Sequence, residues 1–114
     1  MGCKLKMMGD VAVIQVKGKL MGGHETLEVH EAIRKQVEGN TKKIVIDLSK
    51  VKWLNSSGIG MLMACLTTVR KAGGELVISG ATEKVNSAFM VTKLITLFQS
   101  FDTVDEAVDS FGKV

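Results

Sequence analysis

A short segment near the middle of the chain restricts the possible folds more than any other part of the sequence. Residues 43–48, with the sequence KIVIDL, are rich in β-branched side chains and are almost continuously apolar. A strand with one face in water alternates polar and apolar residues, whereas a strand covered on both faces is apolar throughout. The segment therefore predicts a strand in the middle of a sheet that is covered on both sides.

Helical patterns precede and follow this strand. The first runs over residues 25–37 and ends at Gly39-Asn40, and its predicted buried face consists of Leu27, His30, Ile33 and Val37. The second runs from Ser57 to Ala72, and its predicted core face consists of Ile59, Leu62, Met63, Leu66 and Val69. The remaining sequence predicts a strand over 75–79, a helix over 82–92, a last strand over 94–98 and, after the capping box at 103–106, a final helix.

The beginning of the chain predicts an antiparallel hairpin, because two apolar runs, 5–8 and 11–17, flank Gly9-Asp10. The glycine-rich segment 18–23 predicts an irregular connection to the first helix. Strands that alternate with helices predict right-handed crossovers and a mainly parallel sheet. The fold class is therefore α/β: one domain over 1–114, with a mixed sheet of four to five strands, about four helices and an N-terminal antiparallel hairpin.

Composition argues against several classes of function. The net charge of +3 is spread along the chain, and only 4% of residues are aromatic, so no nucleic acid partner is expected. Cys3 and Cys65 are far apart and form no CxxC pair, so we expect neither a metal site nor a disulfide. The most apolar run, 58–66, is too short to insert across a membrane. No signal sequence opens the chain, and we expect a cytoplasmic protein.

The most informative motif is NSSGIG at residues 55–60, where a loop delivers two hydroxyl groups to the start of a helix. One interpretation is a helix cap, because Asn and Ser are favoured at that position. A cap needs only one residue, however, and the two glycines allow another molecule to approach the backbone closely. The other interpretation is a protein-binding surface, to which adaptable Met side chains are suited. The residues assigned to it are Asn55, Ser56, Ser57, Gly58, Gly60, Met61 and His24.

Catalysis is not expected from these residues. A serine nucleophile needs a neighbouring base, but His30 lies on an apolar helix face and no G-x-S-x-G elbow surrounds either serine. Only His24, in the glycine-rich segment, could approach them. The segment from Gly58 imitates G-x-G-x-x-G but has Met63 at the third glycine position, so no dinucleotide or other cofactor is expected.

The sequence resembles the STAS domains of the anti-sigma-factor antagonist family over nearly its whole length, and two motifs carry the resemblance. The family's G-E-L-D is GKLM at 18–21 here, and its D-S-S-G-L-G is the motif at 55–60. The resemblance implies a STAS fold and a bacterial regulator of transcription. Such a protein binds an anti-sigma-factor serine kinase, frees a sigma factor, and is released when Ser56 is phosphorylated.

Met21 and Asn55 stand where the family has acids. A kinase therefore meets a different recognition surface here than in the family pattern. The two acids are not required for the chemistry of phosphorylation, because the catalytic base and the magnesium ligands belong to the kinase. One alternative is a constitutive STAS-type scaffold or accessory subunit, in which Ser56 only caps the helix. Another is a small serine-dependent hydrolase that uses His24. A homodimer is compatible with either binding role.

Overall fold

The computed structural model describes residues 3–81 and 98–112. In chain order the elements are β1 (Cys3–Met8), β2 (Val11–Leu20), α1 (His24–Glu38), β3 (Lys43–Leu54), α2 (Ser56–Lys71), β4 (Glu75–Ser79), β5 (Ser100–Phe101) and α3 (Val104–Gly112). The predicted α/β class, the hairpin and the alternation of strands with helices are confirmed. The helix predicted over 82–92 and most of the last strand predicted over 94–98 lie outside the described residues.

The five strands form one sheet in the order β1-β2-β3-β4-β5. The β1–β2 pair is antiparallel and the other three pairs are parallel. The β3 strand is central, as predicted, and Ile44, Val45, Ile46 and Leu48 are completely buried. This strand has hydrogen-bonded neighbours on both sides and apolar layers on both faces, which explains why its first half is apolar except for Lys43 and Asp47.

The two faces of the sheet carry different layers. One face presents residues such as Ile14, Ile46 and Ile78 to the buried sides of α1 and α2. The other presents Val13 and Val45, which pack with Ala107 of α3 in a smaller cluster. The positions predicted for the core face of α2 are buried at Ile59, Leu62, Leu66 and Val69, whereas Met63 is half-buried.

Cys65 lies among the buried residues of α2, and burial raises the pKa of its thiol to about 12. Cys3 is half-buried on β1, and desolvation, assisted by Glu28, raises the pKa of its thiol above the ordinary value. Both cysteines are free thiols. Reactions that need the thiolate are therefore disfavoured at both positions.

Two local predictions need correction. The β2 strand continues to Leu20, because register shifts next to Gly18, which has a φ of +89°, accommodate the irregular backbone within the strand. On α1 the buried stripe contains Thr26 and Val29, while Leu27 is 63% exposed. Thr26 is polar and is not on the predicted core face. Its burial is possible because its hydroxyl accepts a hydrogen bond from the Gly22 N–H.

Another difference concerns the end of β3, which extends to Leu54. A short strand, β5, is present at Ser100–Phe101, whereas most of the strand predicted over 94–98 lies outside the described residues. The described residues contain three helices. The predicted cap of the last helix is present, since Thr103 Oγ1 accepts the Glu106 N–H at 3.1 Å. None of the helices described is long and apolar enough to cross a membrane.

The buried face of α2 predicts a large loss of stability when Leu62 is truncated. Because Leu62 is 0% exposed, we expect Leu62→Ala to lower the free energy of unfolding by about 2–5 kcal/mol, measured by urea denaturation. Leu27→Ala, the same truncation on an exposed face, is the matched control and should change stability by less than about 0.5 kcal/mol. A loss below about 1 kcal/mol for Leu62→Ala would contradict the assigned core face.

Candidate functional site

The candidate site forms where β2 and β3 end side by side. Leu20 and Leu54 are partners in the parallel pairing, so the segments that follow them leave the sheet at the same edge. The Asn55 N–H donates to the Leu20 carbonyl oxygen at 3.3 Å and extends the pairing by one residue. The loop 21–23 and the start of α2 are therefore neighbours.

Asn55 connects these two segments through its side chain. Its Oδ1 accepts the Gly58 N–H at 3.0 Å and caps the helix, and its Nδ2 donates to the Met21 carbonyl oxygen at 3.2 Å. Of the Asn and Ser residues that the sequence offers as caps, Asn55 has this role and Ser56 is the first helical residue, while the bond to Met21 is not predicted by the sequence. An aspartate at this position would keep the first bond but would have no proton to donate to Met21.

Ser56 and Ser57 occupy the first turn of α2, and both are exposed. Ser57 lies against the neighbouring loop: a Cβ placed on Gly22, whose φ is +90°, would be 2.8 Å from the Ser57 Cβ. The first turn of α2 contains no acidic residue. Its exposed N–H groups and the positive end of the helix dipole therefore favour negative charge at the two serines.

The two glycines of the motif have different roles. Gly58 is buried, and a Cβ there would overlap the Leu20 carbonyl oxygen, so α2 can approach the end of β2 only with glycine at this position. Gly60 is exposed, and a Cβ there would meet no atom within 4 Å. Of the two, only Gly60 is open to a partner.

Met61 does not occupy the predicted surface position. It is 8% exposed and belongs to the large core cluster, and its Sδ lies 3.3 Å from the Cys65 Sγ on the next turn. The buried side of α2 is wider than its five-residue stripe because the helix packs against both the sheet and α1. The assignment of Met61 to an exposed partner-binding surface is therefore wrong.

Two apolar side chains near the strand ends are exposed instead. Met21, directly after β2, is 47% exposed, and Trp53, two residues before Asn55, is 50% exposed. Trp53 is the partner of Lys19 in the β2–β3 register. A tryptophan beside the serine motif was a visible signal in the sequence. Periodicity alone could not predict its exposure, because β3 is buried along the first half of its length.

His24 begins α1, is exposed, and lines a groove between α1 and β1 together with Leu5 and Leu27. Within the part of the chain that the structure describes, no hydrogen bond joins it to either serine, and no group of three His, Cys, Asp or Glu side chains could hold a metal ion. The structure therefore does not assemble His24 and the serines into a nucleophile and base pair.

Comparisons with known proteins identify the family of this fold and motif. Residues 4–107 match the STAS domain family, and the chain belongs to that family. A 67-residue segment is 28% identical to a protein of Thermotoga maritima that is provisionally named an anti-sigma factor antagonist. That segment spans 59% of this chain and 59% of that relative.

Solved structures share the fold over almost the full chain. The crystal structure of TM1081 from Thermotoga maritima superposes with a TM-score of 0.85 at 20% identity, covering 95% of this chain and 92% of that one. The anti-sigma factor antagonist SpoIIAA has been solved unphosphorylated, with 98% of this chain and 99% of SpoIIAA covered. The phosphorylated form, from Bacillus, covers 96% and 98%. Both match with a TM-score of 0.75 at 17% identity.

The different surroundings of the two motif glycines give opposite expectations for the same substitution. Gly58→Ala should destabilise the domain by about 1–3 kcal/mol, because the new methyl group displaces α2 from the Leu20 carbonyl. Gly60→Ala should stabilise it by about 0.5–1 kcal/mol, because alanine is the better helix former at an open position. Thermal and urea unfolding of both variants test this, and equal effects would contradict the described packing.

The hydrogen bonds of Asn55 make a separate prediction. Asn55→Ala should lower the free energy of unfolding by about 1–2 kcal/mol, because the Gly58 N–H and the Met21 carbonyl both lose their partner. Asn55→Asp should cost less, because it keeps the cap and adds charge at the helix N-terminus. Urea denaturation measures both values. An aspartate variant as unstable as the alanine variant would mean that the Met21 bond dominates.

Proposed function

We propose that this chain is an anti-sigma-factor antagonist: a protein-binding module that occupies an anti-sigma-factor serine kinase in the bacterial cytoplasm and so frees a sigma factor. The observation that carries the proposal is the pair of exposed serines on the first turn of α2, held beside the loop 21–23 by Asn55. Its membership of the STAS family and the names of its relatives support the same role.

The proposed contact surface combines polar and apolar groups. Asn55, Ser56, Ser57 and Gly60 supply polar groups and open backbone, and the exposed side chains of Met21 and Trp53 add apolar area near the same edge of the sheet. Aromatic and Met side chains are enriched at protein interfaces. His24 extends the surface at the start of α1, whereas Gly58 and Met61 support it from within.

We propose Ser56 as the switch residue. Ser57 packs beside Gly22, whereas Ser56 occupies the acceptor position implied by the resemblance and is exposed at the helix start. A phosphate there carries about −1.5 to −2 charges, which the helix N-terminus accommodates without unfolding the domain. At a docked interface, an uncompensated charge costs about 2–5 kcal/mol, or about 30-fold to several-thousand-fold in affinity. The solved phosphorylated form of SpoIIAA shares the fold.

A constitutive scaffold is the second candidate, and one observation favours it. Both polar atoms of the Asn55 side chain are used within the domain, and the other family acid is replaced by the exposed Met21. No carboxylate at these two positions is available for a kinase to recognise. In this case the same surface binds a partner permanently and Ser56 stays unmodified.

Phosphorylation and binding measured together test the proposal. The chain is incubated with ATP and an anti-sigma-factor serine kinase of the source organism, and phosphate is mapped by mass spectrometry. We expect modification of Ser56 in the native chain and in Ser57→Ala, none in Ser56→Ala, and binding by native protein that weakens about 30-fold or more after phosphorylation. Ser56→Asp should weaken binding less, because it supplies one charge and two acceptor oxygens.

The other outcomes separate the alternatives. Phosphate on Ser57 would refute the choice of Ser56. Binding without phosphorylation of either serine, unchanged in Met21→Asp with Asn55→Asp, would favour the scaffold. Absence of binding to any such kinase would overturn the antagonist role itself.

A further inference from the structure

A second site lies on the opposite face of the sheet, beside α3. The nine-residue α3 covers only part of this face and leaves a cavity of about 340 Å³ toward the β1–β2 hairpin. Its walls combine apolar and charged side chains: Leu5, Met8, Val13 and Val104, with Lys4, Lys6, Gln15, Asp47 and Asp105. Its volume lies within the range of small-molecule sites, which are mostly apolar with a few convergent polar groups.

A row of polar residues crosses the sheet in this region. Lys4 pairs with Gln15, Gln15 with Asp47, and Asp47 with Ser79, so four adjacent strands place these residues side by side. Partners in register present their side chains on the same face. The cluster that packs on α3 from this face is apolar, with Val11, Val13, Val45 and Val77 at its centre, so the polar row differs from it.

Asp47 is the central member of the row and is only 5% exposed. Its Oδ1 accepts the Ser49 N–H at 3.0 Å, but its Oδ2 has a long 3.4 Å hydrogen bond to Gln15 Nε2. None of the salt bridges in the described part of the chain includes this carboxylate. Beside it, the hydroxyl of Ser79 is fully buried and has no hydrogen-bond partner. Buried charges in proteins are normally paired, and no ion pair with Asp47 is formed among the described residues.

The chemistry of the cavity restricts which cation can pair with Asp47. No cluster of three metal-ligating side chains occurs among residues 3–81 and 98–112, which argues for an organic cation such as an ammonium group. A plain amine would be repelled by Lys4 and Lys6, which line the same cavity. A ligand that also carries a carboxylate converts this repulsion into attraction. The apolar walls of the cavity can then contact a hydrocarbon side chain of the same ligand.

We propose that this cavity binds a free amino acid with an apolar side chain. Its ammonium group pairs with Asp47, its carboxylate with Lys4 and Lys6, and its side chain lies against Val13 and Val104. This site is on the other face of the sheet from the serine motif, and the inference does not depend on the function proposed for that motif.

Titration of isotope-labelled protein with single compounds, followed by amide chemical shifts, tests the proposal. Leucine, isoleucine, valine, methionine and phenylalanine are the probes, and we expect at least one to bind with a dissociation constant of about 1 mM or tighter. The shifted amides should cluster at Val13, Gln15, Asp47 and Val104. For the amino acid that binds best, the matched analogues without the carboxylate or without the ammonium group should bind at least about ten-fold more weakly.

Variants test the assigned contacts. Asp47→Asn keeps an acceptor for the Ser49 N–H but removes the charge, and should weaken binding about ten-fold or more. Lys4→Gln should weaken it less, because Lys6 remains. Asp109→Asn, at an exposed acid of α3 that does not line the cavity, is the control and should bind like the native protein. If Asp47→Asn does not fold, the analogues still decide the question with native protein.

Three results would overturn the proposal: no shift at these amides with any of the five amino acids at about 10 mM, equal binding of the analogues, or unchanged binding in a folded Asp47→Asn variant. A loss of stability in Lys4→Gln without any binding would mean that Lys4 itself neutralises Asp47 and that the cavity has no ligand.

Discussion

The parallel pairing of β2 with β3 is the interaction on which the rest of the molecule depends. It places β3, whose first half is almost completely buried, in the centre of the sheet, and it brings Leu20 and Leu54 together at one edge. The loop before α1 comes directly after Leu20 in the chain, and α2 begins just after Leu54, so these two segments are neighbours. A shift by one residue would turn the side chains of one strand to the opposite face, so the buried Ile and Val residues fix the register.

Close approach at the end of these strands then determines the geometry of the serine motif. Gly58 allows the helix to touch the Leu20 carbonyl, and Asn55 joins the helix to the Met21 carbonyl. The serines therefore sit on a helix start that is anchored to two strands and a loop. A rigid position of this kind reduces the ordering cost when a partner binds. The positive end of the helix dipole also favours negative charge at this position.

The two faces of the sheet have different properties because the helices are distributed unequally. Among the described residues, α1 and α2 cover one face with a continuous apolar layer, whereas α3 covers the other only in part. The cavity beside α3 is lined by Lys4, Gln15 and Asp47, which would be unfavourable under a fully apolar layer. β3 contributes to both sites: Asp47 lies in its buried first half, and Asn55 directly follows its exposed end.

The sequence by itself determined the element order, the central strand and the core face of α2, because local apolar periodicity reports burial along a single element. It also located the serine motif and predicted a cap within it, since cap residues act within one turn, whereas the structure decided that Asn55 is that cap. Only the tertiary structure decided that Met61 is buried, that Leu27 and Trp53 are exposed, and that Gly58 contacts Leu20. Those outcomes depend on which neighbours an element meets. The polar row from Lys4 to Ser79 likewise joins four strands that are distant in sequence, so only their pairing in the sheet could reveal it.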